Sequence, residues 1–128
     1  MKIYSLFLLT IFNSCITGNI SVKTGIEEIS FRNGGGFTGA VKTYILKADG
    51  TLHHNETQLK NIDKKTTLEL FQMAKELKDY SFNEPDNMYS FIEIKTKAKT
   101  NRIVWGFASK TINTTAIQLH NKITTLTK

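Results

Sequence analysis

The three histidines of this sequence do not have the spacing of a shared metal or acid–base site. His53 and His54 are neighbours on a predicted strand, where successive side chains point to opposite faces. His120 directly follows Leu119 on the last predicted helix, where we expect it near solvent. Cys15 is the only cysteine, and no His-x-x-x-His or His-Glu-x-x-His motif occurs. We therefore predict no metal site and no cofactor.

Other groups capable of covalent or phosphate chemistry do not stand in catalytic arrangements. None of the serines lies in a nucleophile-elbow motif, and the adjacent Glu27 and Glu28 project from opposite sides of a strand. Glu84 and Asp86 flank a proline in a loop and could bind calcium weakly. The stretch "GGGF" lacks the Lys-Ser/Thr of a phosphate-binding loop, and a strand rather than a helix follows it. We therefore predict that the protein is not an enzyme.

The N-terminal residues predict export and a lipid anchor. Lys2 precedes an apolar segment, residues 3–12, which is too short to span a bilayer of roughly 30 Å. Ser14 and Cys15 follow, so the segment resembles a bacterial lipoprotein signal, in which cleavage leaves an acylated cysteine at the new N-terminus. The two residues before Ser14 depart from the usual pattern. The alternative is an ordinary secreted protein with a chance cysteine near its cleavage site.

The lipoprotein interpretation divides the chain into three parts. Residues 1–14 are a signal peptide, residues 15–25 a polar tether, and residues 26–128 a single domain. Acyl chains on Cys15 would hold the protein on a membrane of the bacterial cell envelope, since each buried methylene contributes about 0.8 kcal/mol. We expect the domain to face the periplasm.

The positive charge does not have the pattern of a nucleic-acid-binding protein. The formal net charge is +6, but the lysines are scattered and Arg32 and Arg102 are the only arginines. Readers of phosphates and base edges favour arginine. We predict no nucleic-acid partner. A cationic surface of this kind suits anionic lipid or an acidic protein partner.

Hydrophobic periodicity predicts strands, then a helix, then two strands and a second helix. The predicted strands are residues 26–33, 40–48, 51–59, 88–97 and 102–107, and the predicted helices are residues 63–80 and 112–126. Asp49 and Gly50 form a favoured type I′ hairpin pair, and Asp63 or Thr66 could cap the first helix. The order βββ-α-ββ-α predicts an α+β fold: an antiparallel sheet of about five strands with both helices on one face.

Alternation within the strands predicts which side chains are buried. Ile29 and Phe31 share one face of the first strand. Ile103, Trp105 and Phe107 share one face of the last strand, so we expect Trp105 to be largely buried there. The final helix has an apolar stripe at the spacing of an amphipathic helix.

A glycine-rich stretch, "NGGGFTG", follows the first predicted strand. Glycines can adopt positive φ at any step, so this loop can approach another chain closely. We predict a partner-binding loop with Phe37 as an aromatic anchor; its residues are Gly34, Gly35, Gly36, Phe37, Thr38 and Gly39. The alternative is that Phe37 folds back over the end of the sheet and the glycines make room for it.

This stretch, together with the element order, resembles the emfourin family, small proteins whose characterised member inhibits a thermolysin-like zinc metallopeptidase. The family has a Ser-Gly-Gly-Phe-Ala-Gly-like stretch after its opening strand. Gly35, Gly36, Phe37 and Gly39 match it, and Thr38 stands in place of the alanine. The resemblance implies a non-enzymatic protein that occludes a protease cleft with a rigid loop. The characterised member lacks a lipoprotein-type signal, which leaves the target protease open.

A second function is compatible with the same residues. A structural or accessory lipoprotein of the cell envelope would pack its surface against another envelope component, and it would need no catalytic group.

The lipid anchor is testable through Cys15. We expect the mature wild-type protein to begin at acylated Cys15 and to partition into the detergent phase, whereas Cys15→Ala should leave an uncleaved or soluble form. Phase separation followed by N-terminal analysis measures both. Wild-type protein with a free thiol in the aqueous phase would show that the segment is not a lipoprotein signal.

Overall fold

The structure is a computed structural model that describes residues 19–35 and 42–128. Its strands are β1 (Ile26–Gly35), β2 (Tyr44–Lys47), β3 (Thr51–His54), β4 (Thr57–Asn61), β5 (Phe82–Glu84), β6 (Met88–Thr96) and β7 (Thr100–Gly106). Its helices are α1 (Ile20–Thr24), α2 (Lys64–Leu77) and α3 (Thr114–Thr125). The strands form one sheet in the order β4-β3-β2-β1-β6-β7-β5. The α+β class is as predicted.

The predicted number of strands and the prediction that all strands are antiparallel were both wrong. The predicted strand 51–59 is a hairpin, because the chain turns at Asn55, whose φ is +55°, and returns as β4. Asparagine is one of the few residues that tolerate this left-handed conformation. The segment before Pro85, predicted as a loop, contains β5, which pairs in parallel with β7. Within the described residues the sheet therefore has seven strands, and it is mixed.

The turn between β2 and β3 has a different geometry from the predicted type I′ pair. Only Gly50 has a positive φ, of +89°, whereas a type I′ turn requires it at both central residues. The Gly50 amide donates to the carbonyl of Lys47 at 2.9 Å. The connection is thus a three-residue loop that closes with a left-handed glycine.

Part of the predicted tether belongs to the domain. The side chain of Asn19 accepts a hydrogen bond from the Ser21 amide at 3.0 Å and caps α1. Ile20 is buried in the hydrophobic core, and Gly25 ends the helix in the left-handed conformation. The segment predicts a tether because it is polar and rich in turn-forming residues, and a helix of five residues is too short to show an amphipathic period.

One face of the sheet forms the core with the two longer helices. Cross-strand neighbours on this face are buried together, as with Ile29, which lies opposite Leu46 on β2 and Ile94 on β6. Helices α2 and α3 contribute to the same core cluster and contact each other. Their buried residues are Thr67, Leu70, Phe71, Ala74, Leu77, Ala116, Leu119, His120 and Ile123. Asp63 caps α2 as predicted, with its carboxylate accepting from the Thr66 amide.

The last strand confirms one predicted position and corrects another. Trp105 is 8% exposed and lies in the core beside Ile103. Phe107, predicted on the same buried face, is 98% exposed because β7 ends at Gly106 and the chain turns there. The alternation rule applies only as far as the strand continues.

The two described glycines with positive φ provide a matched pair for a stability test. A Cβ on Gly25 would meet no atom within 4 Å, so Gly25→Ala should cost about 1–2 kcal/mol for the left-handed backbone alone. A Cβ on Gly50 would lie 2.7 Å from the Ile62 carbonyl oxygen, which is backbone. We expect Gly50→Ala to cost at least about 1 kcal/mol more than Gly25→Ala in urea unfolding. Equal losses would contradict this packing.

Candidate functional site

Only part of the predicted partner-binding loop lies in the described chain. Gly34 and Gly35 belong to β1 rather than to a loop, and they pair with Tyr89 and Met88 on β6. Gly36, Phe37, Thr38 and Gly39 lie outside the described residues, as does Cys15. The described part of the glycine stretch thus lies in the β1–β6 ladder, which is described as far as Gly35 opposite Met88.

Three exposed apolar side chains lie at this same end of the sheet. Met88 is 67% exposed, Phe107 98% and Ile117 37%. They line one open cavity of about 480 Å³, with Trp105 also in its wall. We call Met88, Phe107 and Ile117 the glycine-end patch. Contiguous exposed apolar groups of this kind mark interaction sites more often than scattered single ones do.

The turn that carries Phe107 is held by polar contacts. The Gly106 amide donates to Ser109 Oγ at 3.0 Å, and the Ser109 amide donates back to the Gly106 carbonyl at 3.2 Å. Asp86 Oδ2 accepts from the Ala108 amide at 3.2 Å. Phe107 is therefore presented on a turn of defined shape, which reduces the entropy lost when a partner covers it.

His120 lies against Trp105, which is in the wall of this cavity, and it is buried, which corrects the prediction that it is near solvent. Its ring makes an edge contact with Trp105, with the centroids 5.2 Å apart. Its Nε2 lies 3.4 Å from the carbonyl oxygen of Arg32, the residue two before Gly34. Burial lowers the pKa of His120, and this hydrogen bond opposes the shift only in part. A neutral imidazole that donates to Arg32 thus connects α3 to the glycine end of β1.

The remaining groups singled out in the sequence are separated. His54 stacks on Tyr44 with ring centroids 4.9 Å apart, and His53 Nε2 lies 3.0 Å from Thr51 Oγ1. Asp86 accepts a hydrogen bond from the turn after β7. In residues 19–35 and 42–128, no three His, Cys, Asp or Glu side chains are grouped so that they could hold a metal ion.

The patch residues were missed in the sequence for a physical reason. Phe107 continued the buried alternation of β7, and Met88 and Ile117 carry no motif. Their exposure depends on where β7 ends and on how α3 lies against the sheet.

The chain matches no protein-family model and no curated protein. No helix in the described residues is long and apolar enough to cross a membrane.

We expect His120 to make the stability of the domain depend on pH. Because its folded pKa is lowered from the usual value near 6.5, the unfolded chain binds more protons below that pH. We expect the free energy of unfolding to fall as pH drops from about 7 to 5. The pKa of Asp49 is also lowered, mainly by the hydrogen bond from the Thr51 hydroxyl. The stability that Asp49 contributes is therefore lost only below about pH 4.

Denaturant unfolding across this pH range measures the effect. His120→Gln should make the free energy of unfolding less dependent on pH. His53 is a half-exposed histidine on another part of the sheet, so His53→Gln should leave the dependence in place. A dependence of equal size in wild type and His120→Gln would assign it to other groups.

Proposed function

We propose that this chain is a membrane-anchored, non-enzymatic binding protein of the bacterial cell envelope, and that it is a metallopeptidase inhibitor of emfourin type. The observation that carries the proposal is the glycine-end patch. A phenylalanine that is 98% exposed on a fixed turn, at the same end of the sheet as Gly35, leaves an apolar surface in contact with water. A protein partner would remove it from water.

The mechanism is occlusion of a cleft by a preorganised surface. The ladder between β1 and β6 fixes the position of Gly35, and the contacts of Asp86 and Ser109 fix the turn that carries Phe107. A surface that is already ordered loses little entropy on docking. Residues 35–39 carry the resemblance to the emfourin family. This stretch would enter the cleft, and Phe107 and Met88 would contact its rim.

A lipid anchor at Cys15 would lie far from the proposed binding surface. Residues 16–18 stand between Cys15 and Asn19, so Asn19, the cap of α1, would lie within about 14 Å of the lipid-bearing residue. β1 starts directly after α1 and has ten residues, which at about 3.3 Å per residue extend roughly 30 Å. The glycine-end patch would therefore be held at the opposite end of the sheet from the membrane, in reach of a periplasmic partner.

A peptide-hydrolysis assay with several thermolysin-like proteases tests this function. We expect wild-type protein to inhibit at least one of them and Phe107→Ser to weaken inhibition by 2 kcal/mol or more, about 30-fold, as for a central aromatic anchor. Val22→Ser is the matched control, because Val22 is 82% exposed but lies on α1 at the other end of β1. It should inhibit like wild type.

The same variants separate the inhibitor from an accessory lipoprotein. Absence of inhibition across these enzymes, with an envelope complex recovered from detergent-solubilised membranes by wild type and lost with Phe107→Ser, would favour the accessory role. Equal effects of Phe107→Ser and Val22→Ser in both assays would show that the glycine-end patch is not the binding surface.

A further inference from the structure

The face of the sheet opposite the core carries an aromatic ring between two arginines. Arg32 on β1 and Phe91 on β6 are cross-strand partners, and Arg102 reaches the same ring from β7 on the other side of β6. The guanidinium carbons of Arg32 and Arg102 lie 4.4 and 4.5 Å from the ring centroid. Phe91 is 3% exposed although it points away from the core. These contacts hold both guanidinium groups in defined places.

The charge of Arg32 is poorly compensated. Its Nη1 donates one long hydrogen bond to Thr43 Oγ1, at 3.4 Å, and its buried Nε has no hydrogen-bond partner among residues 19–35 and 42–128. None of the ion pairs found in the described part of the chain includes Arg32. A partly buried cation without a counter-charge costs free energy, and an external anion would offset that cost.

Arg102 is similarly open to a ligand. Its Nη1 lies 3.7 Å from Glu93 Oε1, which is an ion-pair contact but too long for a hydrogen bond. Its side chain is 47% exposed. It also lines an open cavity of about 420 Å³ on this face, with Tyr89, Val104 and Pro85 among its neighbours. The planar guanidinium of Arg102 can donate two hydrogen bonds to one carboxylate. The apolar wall beside it suits a ligand whose backbone is apolar or uncharged.

We propose that this face binds an extended acidic segment of a protein partner, whose carboxylates lie on Arg32 and Arg102. Two guanidinium carbons at 4.4 and 4.5 Å from one centroid are no more than about 8.9 Å apart. Side chains at positions i and i+2 of an extended chain point the same way, with their Cα atoms about 6.6 Å apart. Flexible glutamates at that spacing reach both arginines.

Charge complementarity favours an acidic occupant here. Of the carboxylates that face this side of the sheet, Glu28 is paired with Lys95 at 3.6 Å and Glu93 faces Arg102. Lys47 lies opposite Glu28 on β2 and adds a further positive charge. This surface differs in chemistry from the apolar glycine-end patch, so it does not depend on the inhibitor function.

The test uses full-length protein in non-ionic detergent and three end-blocked peptides. The first peptide is Ser-Thr-Glu-Ser-Glu-Thr-Ser, the second has glutamine in place of both glutamates, and the third has the glutamates adjacent. Calorimetry or amide chemical shifts report binding. We expect the first peptide to bind most tightly. Arg102→Gln and Arg32→Gln should each weaken it by about fivefold, the upper end for a surface ion pair, and added salt should weaken it further.

The controls keep each result decisive. Lys97→Gln removes a charge in the exposed turn between β6 and β7 and should change the affinity by less than about twofold. Arg102→Gln alone suffices if Arg32→Gln does not fold, as judged by the emission of the single tryptophan, Trp105. Equal binding of the glutamate and glutamine peptides, or full binding by Arg102→Gln, would overturn the proposal. So would arginine-dependent binding to anionic lipid vesicles without binding to the first peptide.

Discussion

The antiparallel ladder between β1 and β6 is the interaction on which the rest of the structure depends. It extends from Ile26 opposite Thr96 to Gly35 opposite Met88. β1 and β6 are neighbours near the middle of the sheet, and their pairing joins its two halves. Because side chains alternate along a strand, this one ladder contributes side chains to both faces of the sheet. Removing this pairing would separate β1–β4 from β5–β7 and divide the core.

Each surface with a proposed role is a consequence of the register of that ladder. Its inward positions, such as Ile29 and Ile94, build the core against α2 and α3. Its outward positions bring Arg32 onto Phe91. At its end, Gly35 of the glycine stretch lies opposite Met88. A slip of one residue would exchange the two faces, so the core that enforces the register also positions the arginines and the patch.

Arg32 is where these surfaces meet. Its carbonyl accepts from buried His120 on α3, while its side chain lies on the opposite face of the sheet against Phe91. The glycine end of β1 is thus held from the core side by a helix and from the open side by an aromatic contact. Glycine lacks a side chain with which to pack, so the neighbouring residue supplies the rigidity.

The sequence by itself determined the α+β class, the main strands and helices, the cap at Asp63 and the burial of Trp105, because period and capping act over a few neighbouring residues. Only the tertiary structure decided the rest: the parallel β5, the exposure of Phe107, the burial of His120 and the meeting of Arg32 with Arg102 on one ring. Each of these depends on where a strand ends or on which distant strand lies beside it. Local propensity carries no information about either, since both are set by the packing of the whole sheet.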